Sequence, residues 1–281
     1  MTATATAIEP GIHRLMRPSD YFAIDAFSNS LAGHMLKSAA HGRHYLDNPP
    51  TPSPSMVLGT AVDAILFNRL DEIAVAPECD RRTTVGKEAW AKFCASSAGR
   101  QVVKSEQYEA ATAMAKNVRD HPAAASILSK LKPADMQVAV VWRDKETGIL
   151  CKGLIDMLAA SHGVLGDLKS TADAGPSEFP KSIFNYGYFR QGAMYAEGLS
   201  AHGVVIEDFA IIAVENEAPY AVAVYRLRDE DLLRGLGQFR KAIRMYAECV
   251  ATGVWGGYSE EIMDISLEHW ATRKLDQGNF Q

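Results

Sequence analysis

The 281-residue sequence has no apolar run as long as the roughly 18 residues that a membrane-spanning helix needs. None of its four cysteines forms a C-x-x-C pair, which excludes a disulfide-stapled fold and disfavours a zinc or iron–sulfur cage; we expect free thiols in a reducing cytoplasm. Residues 1–10 contain no Lys or Arg and no apolar stretch, so we expect no secretory signal. Lys and Arg number 29 and Asp and Glu 34, giving a net charge of −5. This balance argues against a protein that coats DNA non-specifically, but it says little about a local channel.

The remaining composition is that of an ordinary globular protein, with 47% hydrophobic and 22% charged residues. Hydrophobic spacing and capping residues predict helices over about residues 31–47, 55–66, 88–98, 105–120, 177–198 and 229–252. Runs of β-branched and aromatic residues predict strands over about residues 73–76, 136–142, 149–158, 163–168, 204–214 and 220–227. This order predicts one mixed α/β domain, a central sheet flanked by helices with a helical N-terminal part. We place that domain at 18–260, after a flexible arm at 1–17 and before a C-terminal tail at 261–281.

Acidic residues stand at the ends of two consecutive predicted strands. Asp156 ends one, and Asp167-Leu168-Lys169 ends the next. Positions two apart in a strand face the same side, so Asp167 and Lys169 point together. Two carboxylates that lie close repel unless a cation or a proton separates them, and Mg²⁺ or Mn²⁺ prefers such oxygen ligands. The pattern predicts metal-dependent phosphodiester hydrolysis with Lys169 beside the metal; the alternative is a solvated strand end.

Two predicted helices carry polar pairs at i and i+4 spacing, which places both members on one face. Gln191 and Tyr195 form one pair and could reach a phosphate or the lysine. The alternative is a core tyrosine beside a surface glutamine. Gly59 and Asp63 form the other pair, in which Asp63 is a candidate third acidic ligand or simply a polar residue at a helix edge.

The order of these residues resembles the PD-(D/E)XK nuclease superfamily in its RecB-like branch: a helical acid, a strand Asp, a strand Asp-x-Lys and a helical Gln-x-x-x-Tyr. The closer resemblance is to the RecE-type exonucleases of phages and prophages, including exodeoxyribonuclease VIII. Short stretches between about residues 28 and 258 carry it, and the main ones are Ser28-Asn29-Ser30, Leu58-Gly59-Thr60-Ala61, Asp80-Arg81-Arg82-Thr83, Gly86-Lys87, Trp142-Arg143-Asp144, Thr147-Gly148, Asp167-Leu168-Lys169-Ser170-Thr171, Tyr186-Gly187-Tyr188, Val214-Glu215, Pro219-Tyr220 and Trp255-Gly256-Gly257-Tyr258.

The resemblance implies a Mg²⁺-dependent exodeoxyribonuclease that degrades linear double-stranded DNA from an end, 5′→3′, and yields single strands for recombination. It implies a ring-like homo-oligomer, a RecT-like single-strand annealing protein as partner, and a place in the cytoplasm of a bacterial host. By position, Asp156 and Asp167 would hold the metal together with the backbone carbonyl of Leu168. Lys169 would orient the attacking water, while Gln191 and Tyr195 would support the site and the DNA.

The sequence departs from the family pattern at two positions. Asp63 stands where the family usually has a histidine, and Gln137 stands where it tends to have a glutamate. Asp63 could compensate for the missing acid, or the site could be weakened. Three hypotheses therefore stand: an active nuclease with Mg²⁺ or Mn²⁺, a DNA-binding relative that has lost its chemistry, and a metal hydrolase acting on a small phosphorylated substrate.

A basic loop and a serine-rich turn are candidate DNA contacts, because arginine matches phosphate geometry and hydroxyls donate to it. The candidate DNA-binding residues are Arg81, Arg82, Thr83, Lys87, Ser28 and Ser30. The alternative for the loop is a solvated basic turn at a helix start. The aromatic residues Phe184, Tyr186, Tyr188 and Phe189 could stack on bases near a duplex end, although packing of that helix in the protein core is the favoured interpretation.

Overall fold

The computed structural model describes residues 8–276. Within that range the helices are α1 (Pro18–Phe22), α2 (Asn29–Met35), α3 (Ala39–Asp47), α4 (Pro54–Leu66), α5 (Thr84–Ser96), α6 (Ser105–Asp120), α7 (Pro122–Leu128), α8 (Phe179–Tyr186), α9 (Tyr188–Ser200), α10 (Asp229–Thr252) and α11 (His269–Asp276). The strands are β1 (Gly11–His13), β2 (Ile73–Val75), β3 (Gln101–Val103), β4 (Met136–Arg143), β5 (Leu150–Ala159), β6 (Val164–Thr171), β7 (Asp208–Glu215) and β8 (Val222–Arg226). None of these helices is both long and apolar enough to cross a membrane.

Six strands form the central sheet in the order β1-β4-β5-β6-β7-β8, while β2 and β3 pair separately and in parallel. Neighbours in the central sheet are antiparallel except β6 and β7. A parallel pair needs a long crossover, and α8 and α9 supply it here. The crossover therefore brings α9 against the sheet beside the strand that carries Asp167 and Lys169.

Helices cover both faces of the sheet, and the alternation of side chains along the strands explains why. In β7, Phe209 and Ile211 face a core shared with α2, α9 and α10, whereas Ile212 and Val214 face a core shared with α4 and α6. Successive strand residues point to opposite faces, so the nearly continuous apolar sequence of β7 requires cover on both sides. The sheet is thus the middle layer of three.

The N-terminal segment is attached to the sheet more closely than predicted. Strand β1 pairs with β4, so the prediction of a flexible arm over 1–17 is wrong for residues 11–13; residues 1–7 of that arm lie outside the described residues. Further along, the buried Nζ of Lys152 donates hydrogen bonds to the backbone oxygens of Tyr21 at 3.1 Å and Ile24 at 2.7 Å. These two hydrogen bonds attach the segment around residues 21–24 to strand β5.

Helices α6 and α10 match their predicted bounds closely, but two predicted helices are interrupted. The helix expected over 177–198 is broken at Gly187, whose φ of 67° is the left-handed conformation that glycine adopts without a steric cost. The helix expected up to 47 is divided because Ser38 caps a new helix, its Oγ accepting a hydrogen bond from the His41 N–H. Strand β6 continues to Thr171, beyond the predicted end at 168, so Lys169 lies within the strand.

A buried ion pair holds the β4–β5 hairpin against α10. Asp144, 1% exposed, accepts hydrogen bonds from the N–H of Thr147 at 2.8 Å and from its Oγ1 at 2.7 Å. Arg240 of α10 donates to Asp144 and also to Glu197 of α9. Burial alone would raise the pKa of Asp144, but the hydrogen bonds from Thr147 and Arg240 outweigh it and lower that pKa. One arginine therefore links the hairpin turn to two helices.

Candidate active site

The two strand aspartates come together where β5 and β6 separate. The ladder between these strands runs from Ala159–Val164 to Met157–Gly166, and Asp156 is the next residue along β5. There, Oδ2 of Asp156 accepts a hydrogen bond of 2.9 Å from the N–H of Leu168. Because Leu168 directly follows Asp167, this hydrogen bond holds the Asp156 carboxylate beside Asp167.

Asp167 is the most enclosed acid of the group, at 2% exposure. Its Oδ1 accepts a hydrogen bond of 2.8 Å from Nε2 of Gln191, which also lies 3.3 Å from Oη of Tyr195. Its Oδ2 lies 2.5 Å from Nζ of Lys169 but receives no well-directed hydrogen bond. The expected neighbours on β6 and α9 are therefore in contact around one carboxylate.

The third candidate acid, Asp63, reaches the same group from α4 on the other face of the sheet. Burial, followed by repulsion from Asp156 and Asp167, raises the pKa of Asp63 well above its ordinary value. Gly59, one turn earlier, lets α4 approach β6, since a Cβ there would meet Oγ of Ser170 at 3.4 Å. The Asp63 side chain accepts no hydrogen bond from the residues that the structure describes, so its oxygens remain available.

The charges of the site favour an added cation. Burial and the neighbouring Asp167 raise the pKa of Asp156 to about 7. Burial would lower the pKa of Lys169, but the carboxylates of Asp167 and Asp156 outweigh it and raise that pKa. Lys169 is therefore an ammonium ion at neutral pH, and its single charge cannot offset all three acids, which a further cation would help to ionise together.

Within residues 8–276, no group of three or more His, Cys, Asp or Glu side chains is placed so that it could hold a metal ion as it stands. The chemistry of the donors nevertheless suits a divalent cation. They are carboxylate oxygens, which Mg²⁺ and Mn²⁺ prefer, and Oδ2 of Asp167 is buried without a hydrogen bond. Burial and then repulsion between the carboxylates raise the pKa values of Asp63 and Asp156, and a bound cation would relieve that repulsion. For Leu168, the contact seen at the site is made by its N–H, and the carbonyl ligand stays a prediction.

Gln137 is part of the site although sequence reasoning treated it only as a departure. It is 7% exposed, and its Nε2 donates a hydrogen bond of 2.9 Å to Oδ1 of Asp156. Its φ of 51° is unusual for a strand residue, and such strained backbone is often retained where a side chain must be aimed. Both oxygens of Asp156 are therefore oriented by donors, one from Gln137 and one from the Leu168 backbone.

Replacing Gln137 with Met should weaken cation binding without leaving a cavity, because the two side chains are similar in size. The lost hydrogen bond stabilises ionised Asp156, so the pKa of Asp156 should rise further and the pH at which Mn²⁺ binding is half-maximal should increase by about one pH unit. Calorimetric titration with Mn²⁺ between acid and alkaline pH measures this. Gln101→Met is the matched control, because the Gln101 amide contacts only its neighbouring backbone; equal pH midpoints in both variants would contradict the role of Gln137.

An open cleft of about 1150 Å³ borders these residues. Asp63, Leu168 and Lys169 form one part of its lining, and Tyr188 contributes an aromatic wall whose ring centre lies 4.8 Å from Nζ of Lys169. Sequence reasoning considered Tyr188 only as a base-stacking or core residue, and it missed Lys181, which lines the cleft and pairs with Glu178 at 2.7 Å. The cleft therefore gives a ligand access to Asp63 and Lys169.

The six predicted DNA contacts do not line this cleft. Arg81 stacks on the Trp90 ring at 3.5 Å, and Arg82 pairs with Asp80 at 2.9 Å. Two of the hydroxyls have structural roles: Ser28 caps α2, and Thr83 caps α5. The remaining two, Ser30 and Lys87, are exposed. Contact of these residues with DNA stays a prediction.

Residues 28–267 match a family described as a PDDEXK-like domain of unknown function, DUF3799. The chain belongs to this family. The structure of the chain also resembles the crystal structure of a protein described as a putative exonuclease from Eubacterium rectale, at 14% sequence identity and a TM-score of 0.57, over 88% of this chain and 92% of that one. No curated protein matches the sequence.

Family membership and this structural likeness confirm the expected fold, a PD-(D/E)XK-like α/β core with a central sheet flanked by helices. Membership of a PDDEXK-like family supports a nuclease function. The closer resemblance to the RecE type remains a prediction from the sequence.

Proposed function

We propose that this PDDEXK-like chain is a metal-dependent nuclease that hydrolyses phosphodiester bonds of DNA in the cleft beside Lys169. The observation that carries the proposal is the meeting of Asp63, Asp156 and Asp167 with Lys169 at the cleft wall. Buried carboxylates that lie close together are costly to ionise. A bound cation offsets that cost, and the cation can then also bind an anionic substrate.

Asp63, Asp156 and Asp167 would hold the cation, either Mg²⁺ or Mn²⁺. When bound, it would supply Lewis acidity toward the scissile phosphate and neutralise developing charge. The protein residues set the geometry for this: Gln137 and the Leu168 N–H orient Asp156, and Gln191 orients Asp167.

Lys169 acts as a charged hydrogen-bond donor and not as a base, because its raised pKa keeps the proton on Nζ. One side of the ammonium faces Asp167, and Tyr188 covers another. Its remaining hydrogens can position a water molecule or a phosphate oxygen in the cleft. Charge-assisted donors of this kind stabilise a transition state most where bulk water is excluded.

At the finer level, we propose an exodeoxyribonuclease that degrades linear double-stranded DNA from an end in the 5′→3′ direction. The sequence resemblance to the RecE type supports this, and so does the description of the structural neighbour as a putative exonuclease. The same resemblance supports a role in recombination in a bacterial cytoplasm, a RecT-like annealing partner and a homo-oligomeric ring.

The proposal is tested by digestion of linear duplex DNA with 5′-phosphate ends in Mg²⁺, Mn²⁺ or EDTA, beside closed circular DNA. We expect progressive shortening of linear DNA in either metal, no reaction in EDTA and none with Asp167→Ala. Wild-type protein that binds DNA but never shortens it in either metal would instead favour a non-catalytic relative, a reading suggested by the uncharged Gln137 beside Asp156. Absence of DNA binding would remove that alternative as well.

Asp63→Asn should change stability and cation binding in opposite directions. At neutral pH the unfolded chain carries an ionised Asp63, and folding must either bury that charge beside Asp156 and Asp167 or add a proton to it. Both cost stability, so the amide should raise the melting temperature of the cation-free protein. The same change should weaken Mn²⁺ binding roughly tenfold or more, because a hard carboxylate ligand is lost. Thermal melts in EDTA and calorimetric titration measure the two effects.

Asp71→Asn is the control for this variant, because Asp71 is an exposed acid in the turn that follows α4. It should change neither measurement. An unchanged rate and unchanged metal dependence in Asp63→Asn would remove Asp63 from the ligands.

A further inference from the structure

A second charged group lies on the turn of α9 that carries Gln191, and the chemistry described above does not use it. Arg190 is 7% exposed. Its partners are both neutral: Nε donates to Oδ1 of Asn29 at 2.9 Å, and Nη1 donates to Oε1 of Gln238 at 3.1 Å. No carboxylate of the described residues pairs with it within 4.0 Å, in contrast to Arg240, which has two. Burial lowers the pKa of Arg190, which reflects the cost of an uncompensated charge.

The third nitrogen of this guanidinium is free. Nη2 donates to no acceptor in residues 8–276, yet it is not sealed from solvent as the two enclosed unpaired atoms, Trp142 Nε1 and Asp167 Oδ2, are. Two glycines flank it. A Cβ on Gly187 would lie 2.5 Å from Nη2, and a Cβ on Gly33 would lie 3.1 Å from it. Neither glycine has a side chain to cover Nη2, and the gap between the two glycines forms a narrow window beside it.

The surroundings of the window suit the end of a nucleic-acid strand. Gly187 begins α9 without a side-chain cap, so the positive end of that helix dipole lies beside Nη2. Phe184 and Tyr186, at the end of α8 just before Gly187, are 71% and 66% exposed, and Tyr186 also lines the catalytic cleft. Large exposed aromatic side chains near a basic group are typical of surfaces on which unpaired bases stack.

We propose that Arg190, reached between Gly33 and Gly187, binds the terminal phosphate of the DNA strand that enters the cleft. This inference rests on the proposed function. A guanidinium fixed by two neutral amides carries a full positive charge and one free edge, which matches a phosphate oxygen. A terminal phosphate projects from the strand and carries more charge than an internal diester, so it fits a narrow window better.

The test compares binding of short duplexes that differ only in their ends: 5′-phosphate, 3′-phosphate or hydroxyl. Binding is measured by fluorescence anisotropy in EDTA, so that no hydrolysis is required. We expect wild-type protein to bind one class of phosphate end about tenfold more tightly than the hydroxyl end, as for a hydrogen bond between charged groups. Arg190→Met should abolish the preference.

Gly33→Ala is the second variant, because it keeps the arginine and favours helix α2 while placing a methyl group against Nη2. It should also reduce the preference, with hydroxyl-ended duplex bound as in wild type. Gly237→Ala is its control, since a Cβ there meets nothing within 4 Å.

The inference is overturned if wild-type protein shows no preference for a phosphate end. It is also overturned if the preference survives in Arg190→Met or, should that variant not fold, in Gly33→Ala. Hydrolysis without any phosphate preference would refute this inference alone. Phosphate preference without hydrolysis in Mg²⁺ or Mn²⁺ would refute the proposed nuclease and leave the phosphate site standing.

Discussion

Lys169→Met should lower the rate of DNA cleavage roughly 100- to 1000-fold, the loss typical of removing one preorganised donor from a transition state. The variant keeps the length and much of the volume of the side chain but removes the ammonium group that lies 2.5 Å from Asp167. Single-turnover cleavage at saturating protein measures the chemical step apart from DNA binding. We expect DNA affinity in EDTA to change little by comparison.

Lys181→Met controls for the general loss of a positive charge from the cleft. Lys181 lines the same cleft, but its ammonium group pairs with Glu178 and is well exposed. We expect a modest change in DNA affinity and an unchanged single-turnover rate. A Lys169→Met rate within about threefold of the Lys181→Met rate, well short of the expected loss, would show that Lys169 does not act in the chemical step.

Asp144→Ala should destabilise the fold by about 3 kcal/mol, because it leaves the Thr147 donors and Arg240 without a buried acceptor. The value lies at the low end for a broken buried pair, since Arg240 retains Glu197. Chemical denaturation at neutral pH, with wild type and variant in parallel, measures the difference. Glu146→Gln is the control: it removes the neighbouring exposed pair with Arg244 and should leave stability nearly unchanged.

The Asp144 effect should depend on pH in a direction set by its lowered pKa. An acid whose pKa is lower in the folded state contributes stability fully above its unfolded value of about 3.9. That contribution decreases as the pH falls through the lower folded value. The gap between wild type and Asp144→Ala should therefore be widest at neutral pH and should narrow in strong acid; a gap that widens on acidification would contradict the assignment.

Much of the candidate site was predictable because its residues obey short-range periodicity. The strand spacing of Asp167 and Lys169 and the helical spacing of Gln191 and Tyr195 fix which side chains share a face. The resemblance then placed the two pairs in one site. The same local rules predicted α6 and α10 almost to the residue, since each has a clear apolar stripe and a clear start.

What could not be predicted depends on long-range contacts or on single backbone angles. The pairing of β1 with β4 joins residues more than 120 positions apart, and the three residues of β1 have no pattern that predicts it. Gln137 donates to Asp156 from a backbone with a positive φ, which no propensity favours for glutamine. Arg190 has the sequence appearance of an ordinary helix surface residue until α2 and α10 enclose it.

Helix α9 is buried along most of its length, and this has a consequence for where the protein can move. Its inner residues hold Asp167, its first turn holds Arg190, and Glu197 near its end joins the hairpin pair through Arg240. The amide hydrogens of α9 should therefore exchange with deuterium as slowly as those of the central strands, opening only with the whole fold. If the proposed function holds, adaptation to different DNA ends falls to α8 and the first turns of α4, whose exposed residues border the cleft and whose amides should exchange sooner.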